Sequence, residues 1–286
     1  MIKGFHIGLF VDGIVLAISI AFLAKLYYSG EVTCFCGNGV TMTLVATAFV
    51  VFSIKAFRLY LLLMGRGLQW RRYVFLFCMT SFVSILLPFK AGEIFRLYVF
   101  GKALGGYIKG ASLIFLDRFV DTLGLLSVII VGKLMFSWTF DVPLVMSLVG
   151  IMGMLVALYL FLPGFLKYWR QNMLEGRSSS VRLAWLEMIK FIDNAYLDVR
   201  QMLQGRFGLL IFMSILSWSV EMGSLIVLRT VPYNGIDNLF PRYLDAALLQ
   251  VRFLPQLNFV VISSVLLLLA NAIVLFSGMH KATKNQ

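Results

Sequence analysis

Six apolar runs in this chain are each long enough to cross a lipid bilayer, and this feature limits its fold more than any other. The hydrocarbon core of a membrane takes about 20 helical residues to span. Hydrophobic residues make up 60% of the sequence and charged residues only 13%, which excludes one soluble core with a solvated surface. We therefore predict a single transmembrane domain over residues 1–286, an all-α polytopic membrane bundle. Its predicted spanning helices are residues 7–28, 40–64, 111–138, 142–162, 207–228 and 258–277.

Basic residues indicate which ends of these helices face the cytoplasm. The formal net charge is +12, and in membrane proteins Lys and Arg collect in cytoplasmic loops. They are frequent in the turn GRGLQWRR at residues 65–72 and in the hydrophilic stretch Lys167–Arg206. Both segments are therefore predicted to be cytoplasmic, and so are both termini. Because this rule accounts for the positive charge, we expect no nucleic-acid partner.

The predicted cytoplasmic segment, residues 164–206, contains an amphipathic helix. Three serines, Ser178–Ser180, can start it, and apolar residues then recur at helical spacing from Val181 to Tyr196. Two interpretations remain open: a linker helix that packs on the bundle, or a helix that contacts lipid headgroups.

Residues 73–106 do not fit the alternation of the other spans. They lie between a cytoplasmic turn and an out-and-back pair of helices, so they must enter and leave on the same side. Pro88 lies near the middle and interrupts the helix. The sequence thus predicts a re-entrant helical hairpin whose broken tip is buried in protein or lines a water-filled cavity. The alternative is one full crossing of about 17 residues, with another crossing elsewhere to restore the parity.

Ionisable residues inside apolar runs are costly, and they are therefore candidates for a functional site. In the predicted hairpin, Glu93 and Arg96 are three residues apart and can pair on a helix. In the next helix, Asp117 and Asp121 share one face, and Arg118 can reach Asp121. These positions are predicted to meet at the depth of the hairpin tip.

Two further groups of ionisable residues lie in predicted spans. Glu221 is flanked by Ser and Gly residues, which let another helix approach closely. Lys55 and Arg58 lie in the later half of the second span. The simpler interpretation of this pair is that both side chains snorkel to the cytoplasmic headgroups.

Two explanations of the charges between Lys90 and Asp121 remain open. One is a set of buried salt bridges that hold the bundle together and contact no substrate. The other is an anion site, because this stretch carries five basic and three acidic side chains. A net positive charge suits a phosphate group, for which Arg and Lys are the usual ligands.

The motifs LLPFKAGEIFR, at residues 86–96, and LDRFVD, at residues 116–121, resemble those of the transmembrane region of lysylphosphatidylglycerol synthases, a family also described as flippase-like. The likeness in helix pattern extends from about residue 1 to residue 230. The first motif is matched by Pro88, Lys90, Gly92, Glu93 and Arg96. The second is matched by Asp117, Arg118 and Asp121, and Arg58 stands where such proteins often carry Arg.

The resemblance implies a lipid transporter in the plasma membrane of a prokaryote, moving an anionic phospholipid or a lipid-linked glycan between leaflets. Lys90, Arg96 and Arg118 would then bind phosphate. Lys90 and Asp117 replace residues that are more often Arg and Glu. The later stretch LPQLNFVVISS has Pro255 but lacks the Gly and Glu that the family usually carries there.

We expect no catalysis, metal site or cofactor in this chain. The two histidines, His6 and His280, lie at opposite ends of the sequence, so no Ser-His or metal-His arrangement is available. GGYIKG lacks the spacing of a nucleotide-binding loop. The spacings Gly101 to Gly105 and Gly106 to Gly110 leave two interpretations open, close helix packing or a flexible end to the hairpin. Cys34 and Cys36 are expected to be structural, in an outer loop.

Two other functions remain open. A membrane-embedded transferase acting on a lipid or polyprenyl phosphate would use Glu93 or Asp121 as its general base. A non-transporting partner of envelope enzymes would dock through the helix after Ser180. Residues 232–257 are a candidate second re-entrant segment, and a second copy of the chain is a candidate partner.

Overall fold

The computed structural model describes residues 2–28, 38–87, 91–136, 142–174, 180–227 and 254–284. Within these ranges the chain is all-helical, as predicted, and contains no strand. The nine described helices are α1 (Ile2–Tyr28), α2 (Asn38–Leu63), α3 (Trp70–Leu86), α4 (Ala91–Ala103), α5 (Tyr107–Phe136), α6 (Val142–Leu174), α7 (Ser180–Leu203), α8 (Phe207–Val227) and α9 (Leu254–Lys284). Pro88, Lys90, Cys34, Cys36 and most of residues 232–257 lie outside the described residues.

Four stretches of the described helices are long and apolar enough to cross a membrane. They lie in α2, α6, α8 and α9 and comprise Thr41–Leu63, Val145–Met173, Phe207–Ser224 and Asn258–Phe276. The other two predicted spans are also long helices, α1 and α5. The protein is therefore a membrane protein with several apolar helices. The count of six spans and the side on which the termini lie remain predictions.

Helix α6 corrects one predicted boundary. The sequence predicted that this span ends at residue 162 and that a hydrophilic segment begins at 164, but the helix continues through Pro163 to Leu174. Proline removes one backbone hydrogen bond. Ending the helix there would leave several backbone groups unpaired beside apolar neighbours such as Phe161 and Phe165, which costs more in lipid.

Helices α3 and α4 form an antiparallel hairpin. Leu87, which follows α3 and precedes Pro88, has an extended backbone with ψ 129°, as a residue before proline prefers. Near the tip, Ser84 Oγ donates a hydrogen bond to Glu93 Oε1 over 2.7 Å. With 13 residues, α4 is about 20 Å long and shorter than the hydrocarbon core of roughly 30 Å. The two helices therefore cannot cross twice as straight spans, which favours the predicted re-entrant hairpin.

Three glycines let the helices around this hairpin approach closely. A Cβ at Gly92 would lie 2.3 Å from Ser84 Cα on α3, and one at Gly110 would lie 2.6 Å from Gly101 Cα on α4. A Cβ at Gly124 of α5 would lie 2.4 Å from Ser214 Oγ on α8. Of the two interpretations of the hairpin glycines, close packing describes Gly101 and Gly110, which meet each other across the turn, whereas a Cβ at Gly105 would meet nothing within 4 Å.

The core of the bundle lies where the hairpin meets α2 and α5. Its fully buried members include Tyr73, Phe82, Phe100 and Leu113, and the hydroxyl of Tyr73 donates a hydrogen bond to the carbonyl of Ala56. This packing fixes α4 and α5 against α2, so the charged residues of all three helices share one interior.

The basic turn and the hydrophilic segment meet at one end of the bundle. Arg206, just before α8, donates a hydrogen bond to the carbonyl of Leu61 over 2.8 Å. Arg66, just after α2, pairs with Asp198 of α7 at 3.1 Å. We call this the basic end of the bundle. It is the end that the sequence predicted to be cytoplasmic.

Helix α7 packs on α5 and α6. The rings of Trp169 and Trp185 lie 6.1 Å apart, and Arg170 pairs with Asp193 at 2.9 Å. The face of α7 that contacts α5 and α6 therefore fits the interpretation of a linker helix that packs on the bundle. Its other side leaves apolar residues exposed, including Leu183 and Phe191.

Replacing Gly92 with alanine tests the close approach inside the hairpin. The added methyl group would meet backbone atoms of Ser84, and overpacking of this kind costs about 1–3 kcal/mol. We expect a lower thermal unfolding temperature in detergent. Gly153→Ala in α6 is the matched control, because its Cβ meets nothing within 4 Å. Equal unfolding temperatures for the two variants would contradict this packing.

Candidate functional site

Eight ionisable side chains from α2, α4, α5 and α8 form one buried network. Ion pairs of 4.0 Å or less connect six of them, and the other two, Lys55 and Glu221, form a further ion pair beside these six. The four cations are Lys55, Arg58, Arg96 and Arg118, and the four anions are Glu93, Asp117, Asp121 and Glu221. The described part of the network is therefore electrically balanced.

Arg58 is the centre of the network. Its side chain is 2% exposed, and its Nη2 and Nη1 lie 2.8 Å from Asp117 Oδ1 and 2.6 Å from Asp121 Oδ1. Nη1 also donates a hydrogen bond to Ser214 Oγ over 2.9 Å. The prediction that Arg58 snorkels to the headgroups is wrong. Two carboxylates at i and i+4 on α5 lie within reach of its fork, so the guanidinium stays buried.

Arg96 links the hairpin to α5. Its Nη1 lies 3.0 Å from Asp117 Oδ2, whereas the predicted pair along α4, with Glu93 Oε2, is at 4.0 Å. One carboxylate oxygen of Asp117 thus pairs with Arg58, and the other pairs with Arg96. Since both arginines are almost fully buried, neither is open to a ligand.

Arg118 differs from the other cations of the network. Its side chain is 47% exposed, and it lies 3.4 Å from Glu93, 3.6 Å from Asp117 and 3.8 Å from Asp121. These are ion pairs too long for strong hydrogen bonds. Three carboxylates therefore hold the guanidinium in place without a strong hydrogen bond to any of them.

Lys55 extends the network to α8. Its Nζ lies 3.4 Å from Glu221 Oε2 and 5.5 Å from the ring centroid of Trp218, a cation–π contact. The indole N–H of Trp218 donates to the carbonyl of Asp121 over 3.3 Å. The snorkelling interpretation is therefore also wrong for Lys55.

The network lies below the basic end, inside the apolar part of the bundle. Arg58 is five residues before the end of α2, and Ser214 is seven residues after the start of α8, which corresponds to about 8–10 Å. Asp117 is ten residues into α5, or roughly 15 Å. Measured along the helices from their ends, these distances are about a quarter to a half of the hydrocarbon thickness.

The structure brings together all the described residues that the sequence predicted as a site. Gly92 lies at the α3 contact beside them. Ser84, Ser214 and Trp218 also contact the network, but they are not among the predicted site residues. For α8 a signal was available, because Ser214, Trp218 and Glu221 are spaced i, i+4 and i+7 on one face.

A comparison with protein families shows to which family the chain belongs. The family model "Lysylphosphatidylglycerol synthase TM region" matches residues 10–235, which include every residue of the network. The protein belongs to this family. No curated protein and no solved structure matches it.

As a member of the lysylphosphatidylglycerol synthase TM-region family, this is a membrane protein of lipid and envelope biology. Both motifs that carried the resemblance lie inside the matched residues, and LPQLNFVVISS lies beyond them. Within the part of the chain that the structure describes, no cluster of His, Cys, Asp or Glu is arranged to hold a metal ion.

Replacing Arg58 with alanine tests its central place in the network. The change leaves Asp117 and Asp121 short of a partner in the interior, and breaking a buried pair in this way costs about 3–5 kcal/mol. We expect a large loss of thermal stability in detergent. Arg170→Ala is the control, because its pair with Asp193 is exposed and worth at most about 1 kcal/mol. Similar losses in the two variants would contradict the role of Arg58.

Proposed function

We propose that this protein moves an anionic phospholipid or a lipid-linked glycan between the leaflets of a prokaryotic plasma membrane. The observation that carries the proposal is Arg118, whose side chain is about half exposed and whose guanidinium lies near three carboxylates at the edge of the ion network. The proposal includes six spanning helices, a re-entrant hairpin and cytoplasmic termini.

Arg118 is the group best suited to bind the lipid phosphate. A guanidinium offers five N–H donors in a planar fork that matches phosphate oxygens. Arg58 and Arg96 are already engaged with Asp117, so they hold the site together. Glu93 positions Arg118, and Ser84 fixes that carboxylate from α3. Lys90 of the hairpin tip remains a proposed second phosphate ligand.

An apolar cleft beside Arg118 is suited to the acyl chains. It consists of two adjoining cavities of about 350 and 370 Å³ between α5, α6 and α7, with the first also reaching α8. Both are lined by Phe115, Leu155, Tyr159 and Val199. Phe115 is three residues before Arg118, so the two side chains are neighbours on α5. A lipid can therefore place its phosphate at Arg118 and a chain in this cleft.

The proposed activity leaves the lipid chemically unchanged. The carboxylates nearest to Arg118 are engaged with cations, so their proposed role is to hold positive charge in place. This separates the proposal from the transferase alternative, in which Glu93 or Asp121 would act as a base.

Arg118→Gln and Glu93→Gln test the proposal. In vesicles containing the purified protein and a labelled phosphatidylglycerol, we expect each variant to lose most of the lipid movement between leaflets. The reason is that Arg118→Gln removes the group that binds the phosphate, and Glu93→Gln removes a carboxylate that positions Arg118. Arg170→Gln, a change at an exposed arginine outside the network, is the control and should move lipid at the original rate.

The same samples distinguish a loss of lipid movement from unfolding of the protein and from chemical modification of the lipid. Thermal unfolding curves should show that all three variants are folded before heating. Unchanged lipid movement in Arg118→Gln and Glu93→Gln would reject the proposal. A change in lipid mass after incubation with the original protein would favour the transferase alternative.

Leu155→Trp tests the role of the cleft. The larger side chain would fill the space shared by the two cavities, and we expect slower lipid movement with little change in unfolding temperature. Leu160→Trp is the matched control on the same helix, because Leu160 is exposed and lines neither cavity. Equal rates in the two variants would exclude the cleft from the lipid path.

A further inference from the structure

Apart from the cleft beside Arg118, another cavity lies between α1, α3, α4 and α9, and we call it the second cavity. Its volume is about 600 Å³. The polar side chains that line it are Asp12, Arg72, Tyr98 and Lys102, and apolar residues such as Phe75 and Met79 form its walls. It is larger than either cavity of the cleft beside Arg118.

This cavity is separate from the ion network. Lys102 follows Glu93 by nine residues on α4, which is two and a half helical turns and places the two on opposite faces. The hairpin therefore has the network on one side and the cavity on the other. Arg72 lies in the first turn of α3, so the cavity reaches the basic end of the bundle.

One of the five basic residues counted between Lys90 and Asp121, Lys102, lies in this cavity. The network itself is balanced, whereas two cations and one carboxylate line the cavity. Lys102 Nζ lies 5.9 Å from the ring centroid of Tyr98, which leaves its ammonium donors available. Among the described residues, no ion pair within 4.0 Å joins Asp12 to Arg72 or Lys102.

Asp12 adds a requirement to any ligand of this cavity. Its Oδ1 is buried and has no hydrogen-bond partner, and a buried acceptor in that state is costly. A phosphate alone would bring more negative charge towards this carboxylate. A ligand that carries a hydrogen-bond donor beside its phosphate would satisfy both Asp12 and the two cations.

We propose that this cavity is a second phospholipid site, selective for a headgroup with a hydrogen-bond donor. Arg72 and Lys102 bind the phosphodiester, Asp12 accepts a hydrogen bond from a headgroup hydroxyl or ammonium, and the apolar walls take the glycerol and the start of the acyl chains. The assignment goes beyond the transport proposed above and does not depend on it, because it concerns binding on the other face of the hairpin.

The test compares two lipids of the same charge, of which only one has hydrogen-bond donors in its headgroup. Phosphatidylglycerol and phosphatidylmethanol carry the same charge, but only the first has headgroup hydroxyls. The protein carries Arg118→Gln throughout, so that retained lipid reports the second cavity, and native mass spectrometry counts lipid bound after purification. We expect roughly a tenfold preference for phosphatidylglycerol, the factor that a hydrogen bond to a charged group commonly contributes.

Variants of the lining residues give the decisive outcomes. In this background, Asp12→Leu should retain both lipids equally. Arg72→Gln combined with Lys102→Gln should lower retention of both, and each single change should lower it in part. Arg170→Gln is the charge-matched control for each single change and should change neither value. Phosphatidylethanolamine, tested in the same way, distinguishes an ammonium donor from a hydroxyl.

Two results would overturn the assignment. One is an unchanged lipid preference in Asp12→Leu, and the other is unchanged retention after loss of both cations. Either result leaves the transport proposal standing, since that proposal is tested by lipid movement in Arg118→Gln. Conversely, a preference that depends on Asp12 supports the second site whether or not Arg118 is needed for transport.

Discussion

The burial of Arg58 between Asp117 and Asp121 is the interaction on which the rest of the site depends. It joins α2 to α5, and the hydrogen bond to Ser214 adds α8. Arg96 uses the second oxygen of Asp117 and so fixes the hairpin to the same point. A charge taken out of water is costly unless it is paired, so moving one of these helices away would leave buried charges without their partners. The close contacts at Gly92, Gly110 and Gly124 bring the backbones near enough to form it.

The two sides of the hairpin differ in net charge. On one side, four cations and four anions satisfy one another, and Arg118 alone combines loose pairing with an exposure near one half. On the other side, Arg72 and Lys102 outnumber Asp12 in a cavity with apolar walls. A short, broken helix pair can present two polar surfaces at membrane depth because its neighbours cover the rest of it. This arrangement is consistent with a protein that handles charged lipids.

The sequence predicted the helices better than their contacts. The break near Pro88, the pairing of α3 with α4, and the position of Asp117, Arg118 and Asp121 on one helix all follow from local rules. The errors at Pro163, Lys55 and Arg58 have a common cause, which is that local rules do not include the neighbours. A proline stays within a helix when apolar surroundings penalise a break. An arginine near a helix end stays buried when another helix supplies carboxylates.

The sequence by itself determined that the chain is an all-helical membrane protein with a broken helix pair and ionisable residues inside it, because hydrophobicity and helical spacing are local properties. It also carried the motifs of the lysylphosphatidylglycerol synthase TM-region family. Only the tertiary structure decided which charges neutralise one another, that the Arg118 side chain stays about half exposed, and that Lys102 lines a cavity on the side of the hairpin opposite to Glu93. Pairing and burial depend on distances between helices that are far apart in sequence, and no local pattern specifies those distances.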